Sequence, residues 1–281
     1  MSRARVGVSS VMEKFAGQVP KIYESHLVPI LFAPYARDLA RRAAARLRPP
    51  SRVLEIAAGT GAVTRELAAR LPEKTAIVAT DRSRPMIDQA AALMGESARP
   101  IEWREADALE LPFEDESFDA VVCQFGVMFF PEKPKAFSEA RRVLRPGGIY
   151  HFNVWDRLSD NELAEAVQAA LATVFRENPP RFMERIPHGY FERETIVSHL
   201  RLGGFMRPPG IETLALRSRA PSARDAAVAF CQGTPLRDEI ETLDPSRLEE
   251  ATDAATAAIA RRFGEGEVDA KMQAYVVSVE R

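Results

Sequence analysis

Two glycines and one aspartate have the residue types and the spacing to hold a nucleoside. Gly59 and Gly61 follow the strand-like run Val53–Ile56, and glycine lets the backbone approach a ligand where a side chain would obstruct. Apolar residues then recur at helical spacing, which predicts a strand, a tight turn and a helix. Asp81 ends the next apolar run, 20 residues after Gly61. In nucleotide-binding βαβ units, a carboxylate at this distance holds the ribose hydroxyls.

This turn fits a dinucleotide fingerprint poorly, because the third glycine of G-x-G-x-x-G is missing. It resembles instead motif I, E-x-G-x-G-x-G, of the Rossmann-like (class I) S-adenosylmethionine-dependent methyltransferases. Glu55, Gly59 and Gly61 match that motif. Ala57 replaces its first glycine and Val63 its last. Such a turn suits a ligand with a nucleoside and an amino-acid tail but no phosphates.

Three further segments lengthen the resemblance. Glu105–Phe113 is similar to the family's D-A-x-x-L-P-F segment, Ser117–Phe125 to motif II and Arg142–Ile149 to motif III. The motifs follow in the family's order over about residues 50–156. The nearest likeness is to the quinone-biosynthesis-like, or type 11, methyltransferases.

The resemblance implies that S-adenosylmethionine is the cofactor, and it indicates which residues of this chain contact each part of that molecule. Asp81 is expected at the ribose, Asp107 at the adenine amino group and Ala108 beside the adenine ring. The other expected cofactor-binding residues are Tyr23, Glu55, Ala57, Gly59, Gly61, Arg82, Met86, Gln124 and Phe125.

No strong catalytic constellation stands in the sequence, and methyl transfer from a sulfonium need not have one. The reaction is an in-line displacement that depends mainly on a near-attack arrangement and the exclusion of water. A weakly acidic hydroxyl acceptor would need a general base. His188, His26 and Tyr190 are the candidates, with structural roles as the alternative for each.

The segment after the fourth predicted strand indicates the class of acceptor. Methyltransferases of protein, DNA or RNA amines often carry Asn or Asp followed by Pro-Pro-Tyr or Pro-Pro-Phe there, whereas this chain reads QFGVMFF over 124–130. Aromatic and methionine residues gather at 128–130 and again at 182–191. We therefore expect a small, largely apolar or aromatic acceptor, methylated on oxygen or carbon.

Hydrophobic periodicity predicts the elements that position these residues. Alternating strands and helices favour a doubly wound, mostly parallel sheet with right-handed crossovers, and the resemblance implies seven strands, a late antiparallel strand and helical lid insertions. Strands are predicted near 52–57, 76–80, 100–104, 119–124, 149–155, 211–216 and 274–279. Helices are predicted near 23–32, interrupted by Pro29 and Pro34, and near 35–47, 61–71, 84–94, 134–144, 161–176 and 192–202. A helix stopped by Pro146 and Gly147 leads into the fifth strand.

The expected organisation is a core interrupted by helical segments. An N-terminal helical cap covers 1–48, the cofactor-binding core 49–156, a helical lid insertion 157–191 and the remainder of the core 192–281, with a second helical insertion at 222–262.

Composition narrows the class of protein. With 281 residues, 46% of them hydrophobic, the chain suits one large domain or one domain with insertions. A net charge of −2 gives no reason to expect nucleic acid, and four histidines and two cysteines indicate no metal site. No apolar run reaches transmembrane length and no secretory signal is evident, so a cytoplasmic enzyme, monomeric or homodimeric, is expected. Two alternatives stay open: an NAD(P)-dependent oxidoreductase, and a non-catalytic cofactor-binding protein on the same fold.

Overall fold

The computed structural model describes residues 19–95 and 99–281. One seven-stranded sheet runs through them, in the order β3-β2-β1-β4-β5-β7-β6. Its strands are β1 (Ser51–Ile56), β2 (Thr75–Asp81), β3 (Ile101–Glu105), β4 (Phe118–Gln124), β5 (Leu144–Trp155), β6 (Gly210–Ala220) and β7 (Val268–Glu280). The part of the expected N-terminal cap before Val19 lies outside the described residues.

The sheet confirms the predicted fold class. Strands β1 to β5 pair in parallel, whereas β7 is antiparallel to both β5 and β6. The strand order reverses direction between β1 and β4. Ligands of open α/β sheets bind in the crevice that such a reversal leaves beyond the carboxyl ends of the strands, which places the predicted site after β1 and β4.

Helices cover both faces of the sheet. On one face, α3 and α4 pack Leu39, Val63 and Leu67 against the sheet residues Val53 and Ile77. The other face carries a larger apolar core. The helices are α1 (Val19–Ile22), α2 (Tyr23–Phe32), α3 (Ala33–Arg46), α4 (Ala62–Arg70), α5 (Arg84–Met94), α6 (Lys133–Val143), α7 (Glu162–Val174), α8 (Phe182–Arg185), α9 (Arg193–Leu202), α10 (Ala223–Gly233), α11 (Leu236–Leu243) and α12 (Leu248–Phe263).

Helix α2 passes through Pro29, so the predicted interruption is wrong. Its turns are π-helical, and the N–H of Ala33 donates to the carbonyl of Val28 five residues back. A proline ring clashes with the carbonyl four residues before it in an α-helix, and the wider π turn moves that carbonyl away. Pro34 lies in the first turn of α3, where proline is well tolerated. Helices α1 to α3 therefore follow one another without a gap.

Two predicted element boundaries also move. Helix α6 ends at Val143 and β5 begins at Leu144, because the Arg-Pro-Gly-Gly segment is drawn into the strand, where Leu144 pairs with Phe118. Strand β7 begins at Val268 rather than near 274, since its first residues pair with β6. Buried and outward residues alternate from Val268 onward. Apolar and polar residues alternate over 268–274 in the sequence as well, which is the local signal for this earlier start.

Within the described residues, no helix combines the length and the apolar character needed to cross a membrane.

Candidate active site

The turn after β1 is shaped by its backbone and by Asp81. Ala57, Gly59 and Gly61 have φ values of 56°, 55° and 82°. Such left-handed conformations suit glycine but cost a residue with a Cβ atom roughly 1–2 kcal/mol. The N–H of Gly59 donates to Asp81 Oδ2 and the N–H of Ser83 to Asp81 Oδ1, each at 2.8 Å. The carboxylate of one strand end thus holds the turn of the neighbouring strand.

Asp81 retains the capacity to accept further hydrogen bonds. It is 8% exposed, and it lines a cavity. Burial raises the pKa of Asp81, and the bonds from the backbone N–H groups around it oppose that rise. Each carboxylate oxygen has a lone pair beyond the one engaged by an amide. This arrangement fits the two hydroxyls of a ribose, the contact predicted from the sequence.

Glu55 and Gly61 lie beneath the turn and line neither of the two cavities described here. Glu55 is 1% exposed and accepts a hydrogen bond from Thr64 Oγ1 at 2.5 Å. Burial raises the pKa of Glu55 to about 8, so the carboxyl is mostly protonated at neutral pH. A Cβ atom on Gly61 would lie 3.2 Å from Ala90 and Trp103. Both residues shape the turn from inside, which is an indirect role and differs from the direct contact expected.

A smaller cavity of about 390 Å³ holds the residues expected at the adenine. Asp107, Ala108 and Arg82 line it. Asp107 Oδ1 accepts from the N–H of Leu109 at 2.9 Å, and its Oδ2 lies 3.9 Å from Arg82 Nε. Ala57 lines both this cavity and the larger one that contains Asp81. The two cavities therefore adjoin, as the adenine and the ribose of one nucleoside require.

The larger cavity encloses about 1120 Å³, part of it open to solvent. Tyr23, Gly59, Asp81, Met86 and Phe125 line it, which brings these predicted cofactor residues together. Half of the remaining lining residues are large or apolar and are here named the apolar wall: Leu27, Leu31, Phe32, Met128, Phe129, Trp155, Leu163, Ala164, Phe182, Met183, Phe230 and Met272.

Gln124 brings an unsatisfied acceptor to the same cavity. Its Nε2 donates to the carbonyl of Phe32 at 3.3 Å, while its buried Oε1 has no hydrogen-bond partner among the described residues. A buried polar atom of this kind requires a partner. Glu55 pairs with Val122 across β1 and β4, so Gln124 lies opposite the start of the glycine turn. An amino group of a ligand that occupies the turn would satisfy it.

Aromatic rings make the wall next to Gln124 rigid. Phe125 and Trp155 stack with centroids 3.9 Å apart and an interplanar angle of 7°. Tyr35 meets both rings edge-on, at 5.2 and 5.4 Å. Phe125 also has a positive φ of 50°, and its N–H is shared between the backbone oxygen and Oδ1 of Asn153, at 3.2 and 3.1 Å. The sequence predicted Phe125 at the site but gave no sign of its partner Trp155.

Helix α2 is fastened onto the glycine turn by three polar side chains that the sequence analysis missed. Glu24 Oε1 lies 2.6 Å from Arg65 Nη2, and Thr60 Oγ1 donates to Glu24 Oε2 at 2.5 Å. Arg65 Nη1 also donates to the carbonyl of Thr60 at 2.7 Å. We call Glu24, Thr60 and Arg65 the α2 latch. It holds Tyr23 over Gly59, where an added Cβ would lie 3.8 Å from the Tyr23 hydroxyl.

Of the three residues predicted as a general base, the structure brings only His188 to the cavity. Its Nδ1 lies 2.8 Å from the carbonyl oxygen of Asp156. Tyr190 and His26 do not line it. The Tyr190 hydroxyl lies 3.0 Å from Nδ1 of His199 on α9, and His26 Nδ1 lies 2.8 Å from the Ser25 hydroxyl. The expectation that these two could act on an acceptor is therefore not supported by the geometry.

One side of the cavity is formed by α10, the residues that follow it and β7, which was not predicted from the sequence. Phe230 and Gly233 from α10, the following Thr234 and Pro235, and Met272 from β7 line it. The second helical insertion therefore joins 157–191 and α2 around the cavity. The Gly233-Thr234-Pro235 break was the only local signal available for this contribution. Between 19 and 281, leaving aside 96–98, no cluster of three or more His, Cys, Asp or Glu could hold a metal ion.

Comparison with known proteins supports the resemblance to methyltransferases that the sequence motifs indicate. Residues 53–148 match a family model described as a methyltransferase domain. This range begins in β1 and ends within β5, so it contains the glycine turn, Asp81, Asp107 and Gln124.

Two curated relatives and one solved structure extend that match. Demethylmenaquinone methyltransferase of Deinococcus radiodurans is 38% identical over 139 residues, which cover 50% of this chain and 57% of the relative. Malonyl-[acyl-carrier protein] O-methyltransferase of Geobacter sulfurreducens is 34% identical over 156 residues, 56% of each chain. The alignments thus span slightly more than half the length of these relatives.

The solved structure is Haemonchus contortus phosphoethanolamine N-methyltransferase 2 in complex with S-adenosyl-L-methionine. It matches with a TM-score of 0.62 and 16% identity, over 100% of this chain and 61% of that one. At this identity the likeness shows the fold. The expected cofactor, S-adenosylmethionine, is that of the family. Together with the motifs and the sheet, these findings confirm that residues 53–148 form a methyltransferase domain of the Rossmann-like, S-adenosylmethionine-dependent family.

Proposed function

We propose that this protein transfers a methyl group from S-adenosylmethionine to a small, largely apolar or aromatic acceptor, on oxygen or carbon. The observation that carries the proposal is the larger cavity, which is lined both by the predicted cofactor residues Gly59 and Asp81 and by the apolar wall. Bound S-adenosylmethionine would supply an activated methyl group. The acceptor would occupy the part of the cavity that the apolar wall surrounds.

The contacts of the lining residues support an uncharged acceptor. Lys271 lines the cavity, but its Nζ lies 3.0 Å from Asp160 Oδ1. Ser218 donates to the carbonyl of Ile30 at 3.1 Å, and Thr234 to that of Phe230 at 2.7 Å. These polar groups are already engaged within the protein. An anionic acceptor would therefore be desolvated without a dedicated cation, which is costly.

The chain's own residues would act mainly by positioning and by excluding water. Asp81 and Asp107 would fix the nucleoside, and Gln124 would accept from the amino end of the cofactor. The rigid pair of Phe125 and Trp155 would orient the acceptor against it. In-line displacement gains most from such positioning in a dry site. The name of the Deinococcus radiodurans relative, which acts on demethylmenaquinone, supports an aromatic acceptor.

The proposal has a direct test in two steps. S-adenosylmethionine and S-adenosylhomocysteine should raise the unfolding temperature of the full chain by mass action, and NAD or NADP should not. The radiolabelled methyl donor should then be incubated with phenols, quinols, fatty acids, peptides and nucleic acids. We expect label in the apolar aromatic compounds and none with the Asp81→Ala variant.

Three results would overturn the proposal at different levels. A larger thermal shift with NAD than with either sulfur nucleoside would favour an oxidoreductase. Cofactor binding without transfer to any class of acceptor would favour a non-catalytic cofactor-binding protein. Label confined to nucleic acid or protein would remove the acceptor class while leaving methyl transfer intact.

The proposal also covers the protein's location, oligomeric state and partners. We propose a cytoplasmic enzyme that acts as a monomer or homodimer, without nucleic acid and without stable membrane insertion. The near-neutral formal charge of −2 supports the first exclusion, because nucleic-acid binding depends strongly on positive charge.

A further inference from the structure

The imidazole ring of His188 is held by a contact at Nδ1, which leaves its other nitrogen, Nε2, outside the protein's own hydrogen bonds. Its Nδ1 lies 2.8 Å from the Asp156 carbonyl oxygen, which can only accept, so Nδ1 carries the hydrogen and Nε2 carries a lone pair. Nε2 has no hydrogen-bond partner among the described residues, and this atom is not fully buried. Since His188 is 5% exposed and lines the larger cavity, Nε2 meets that cavity.

The surroundings of His188 keep the ring uncharged. Burial lowers its pKa to about 4, and the hydrogen bond to Asp156 opposes that fall only in part. The Asp156 carboxylate is engaged by Gln273 Nε2 and by the N–H of Arg157, each at 2.7 Å. The indole of Trp155 lies 6.0 Å from the ring. The lone pair at Nε2 therefore faces a cavity whose lining is mostly apolar.

We propose that His188 Nε2 accepts the proton of a hydroxyl on the methyl acceptor, which is therefore an apolar phenol or enol methylated on oxygen. The inference rests on the proposed function and names the substrate class for the same cavity. The O–H bond breaks towards Nε2 and the acceptor oxygen forms the new bond to the methyl carbon. The electron pair of the broken carbon–sulfur bond stays on sulfur. The imidazolium then loses its proton to water when the product leaves.

This step conserves charge inside the cavity. The positive charge of the sulfonium disappears as the imidazolium forms, so the closed site has the same net charge before and after transfer. A largely buried site favours such a balance, because creating a net charge in a low-dielectric space is expensive. The low affinity of His188 for protons in the resting state keeps Nε2 available until the hydroxyl arrives.

The test compares two probes that differ by one hydroxyl. The affinities of 2-naphthol and naphthalene for the full chain saturated with S-adenosylhomocysteine should be measured by calorimetry or fluorescence. A buried hydrogen bond predicts a preference of about fivefold to tenfold for 2-naphthol. The ¹⁵N resonance of His188 Nε2 should shift with 2-naphthol and not with naphthalene, because only the first donates to it.

Two variants separate this role from a structural one. His188→Asn keeps an N–H near the position of Nδ1 for the Asp156 carbonyl but has no atom at Nε2, so the preference should vanish. His188→Gln places an acceptor near Nε2 and should recover part of it. His199→Asn changes a histidine outside the cavity and should leave the preference intact. All three should bind S-adenosylhomocysteine as the wild type does.

Each outcome decides the inference. Equal binding of the two probes to the wild type, or a preference that survives in His188→Asn, would overturn it. Neither result would affect the proposed function as long as S-adenosylhomocysteine binds and methyl transfer to another acceptor is seen. If the wild type does not bind S-adenosylhomocysteine, the proposed function itself is contradicted.

Discussion

At the scale of single residues, the site uses buried carboxyl groups in two different ways. Asp81 accepts from the backbone amides of Gly59 and Ser83 and lines the larger cavity. Glu55 is enclosed, bonded to Thr64 and protonated at neutral pH because burial raises its pKa to about 8. The two groups lie on neighbouring strands, and the glycine turn separates them. Their environments therefore suit Asp81 to the proposed binding role and Glu55 to a structural one.

Substitution of Asp81 should weaken cofactor binding strongly. Asp81→Ala removes charge-assisted bonds to the ribose and should cost about 2–4 kcal/mol, on the order of 30-fold to 700-fold in affinity. Calorimetry with S-adenosylhomocysteine measures this. The same change leaves the amides of Gly59 and Ser83 without their partner, so the free energy of unfolding should also fall by about 1–3 kcal/mol.

Asp81→Asn keeps one oxygen for the turn and should fold more stably than Asp81→Ala while still losing affinity. Asp88→Asn, at an exposed ion pair with Arg84, is the matched control and should change neither quantity. Unchanged affinity in Asp81→Ala would show that this carboxylate does not bind the ribose.

Glu55 should make stability depend on pH. Its folded-state pKa of about 8 exceeds the ordinary value of 4.5, so the folded chain binds the proton more tightly. Its contribution to stability is fully present below pH 4.5 and is lost as the pH rises through 8. Glu55→Gln stays uncharged throughout. The stability of this variant relative to wild type should therefore increase by the order of a few kcal/mol between pH 5 and pH 9.

Urea unfolding of both proteins at pH 5, 7 and 9 measures this difference. A constant difference across the range would mean that Glu55 is ionised in the folded chain at neutral pH, which contradicts the role described for it.

At the scale of elements, the α2 latch connects a helix to the glycine turn across about forty residues of sequence. Its ion pair between Glu24 and Arg65 is only partly exposed, at 19% and 30% of the two side chains. The helix places Tyr23, Leu27 and Leu31 in the lining of the larger cavity. A cofactor held between the turn and Tyr23 must pass this helix, so the latch should control how fast the cofactor leaves.

Glu24→Gln should accordingly speed the release of S-adenosylhomocysteine. The charge is lost while the hydrogen bonds of an amide remain, so about twofold to fivefold is expected for a partly exposed pair. Stopped-flow displacement measures the rate. Glu66→Gln removes another glutamate of α4, paired with Arg70, and should leave it unchanged. If Glu24→Gln has the wild-type rate, the cofactor leaves without movement of α2.

The turn after β4 depends on the turn after β1. A Cβ atom on Gly126 would lie 2.6 Å from the methyl group of Ala57 and 2.7 Å from Cys123 Sγ. Gly126→Ala should therefore lower the free energy of unfolding by roughly 1–3 kcal/mol, as overpacking usually does. Gly266→Ala, with no neighbour within 4 Å, is the control in chemical unfolding. Equal stability of the two variants would mean that the loops separate at little cost.

At the scale of the whole molecule, the cavity is closed by segments from three parts of the chain. Helix α2 precedes the sheet, α8 and His188 lie between β5 and β6, and α10 lies between β6 and β7. Binding should therefore stabilise parts of the fold that are far apart in sequence. The sheet itself extends well beyond the cavity and need not respond.

Hydrogen exchange should show this pattern. Saturation with S-adenosylhomocysteine should slow amide exchange in 19–32, in the turn at 57–61 and at 81–83, because local opening of these segments becomes costlier. Exchange at the end of the β6–β7 pair that does not line the cavity, 210–213 and 275–278, should stay the same. The Asp81→Ala variant at the same ligand concentration is the control. Protection confined to 210–213 and 275–278 would place the ligand elsewhere.

Local patterns in the sequence were enough to predict the core of the fold and the position of the candidate site. Strands β1 to β4 and helices α4 and α5 fall within a few residues of their predictions, because binary patterning and glycine turns are properties of neighbouring residues. Asp81 and Gln124 were expected at strand ends, and parallel strands bring their carboxyl ends to one edge. The family and its fold followed from the same segments.

Only the tertiary structure decided which of these residues meet the cavity. Three histidine or tyrosine candidates were equivalent in sequence, yet the carbonyl of Asp156 turns His188 to the cavity while His199 holds Tyr190 away. Glu55 matched a binding motif and proved to be enclosed. The α2 latch, the stack of Phe125 on Trp155 and the contribution of α10 join residues 30 or more positions apart. Such contacts depend on how helices pack over the sheet, and no local pattern encodes them.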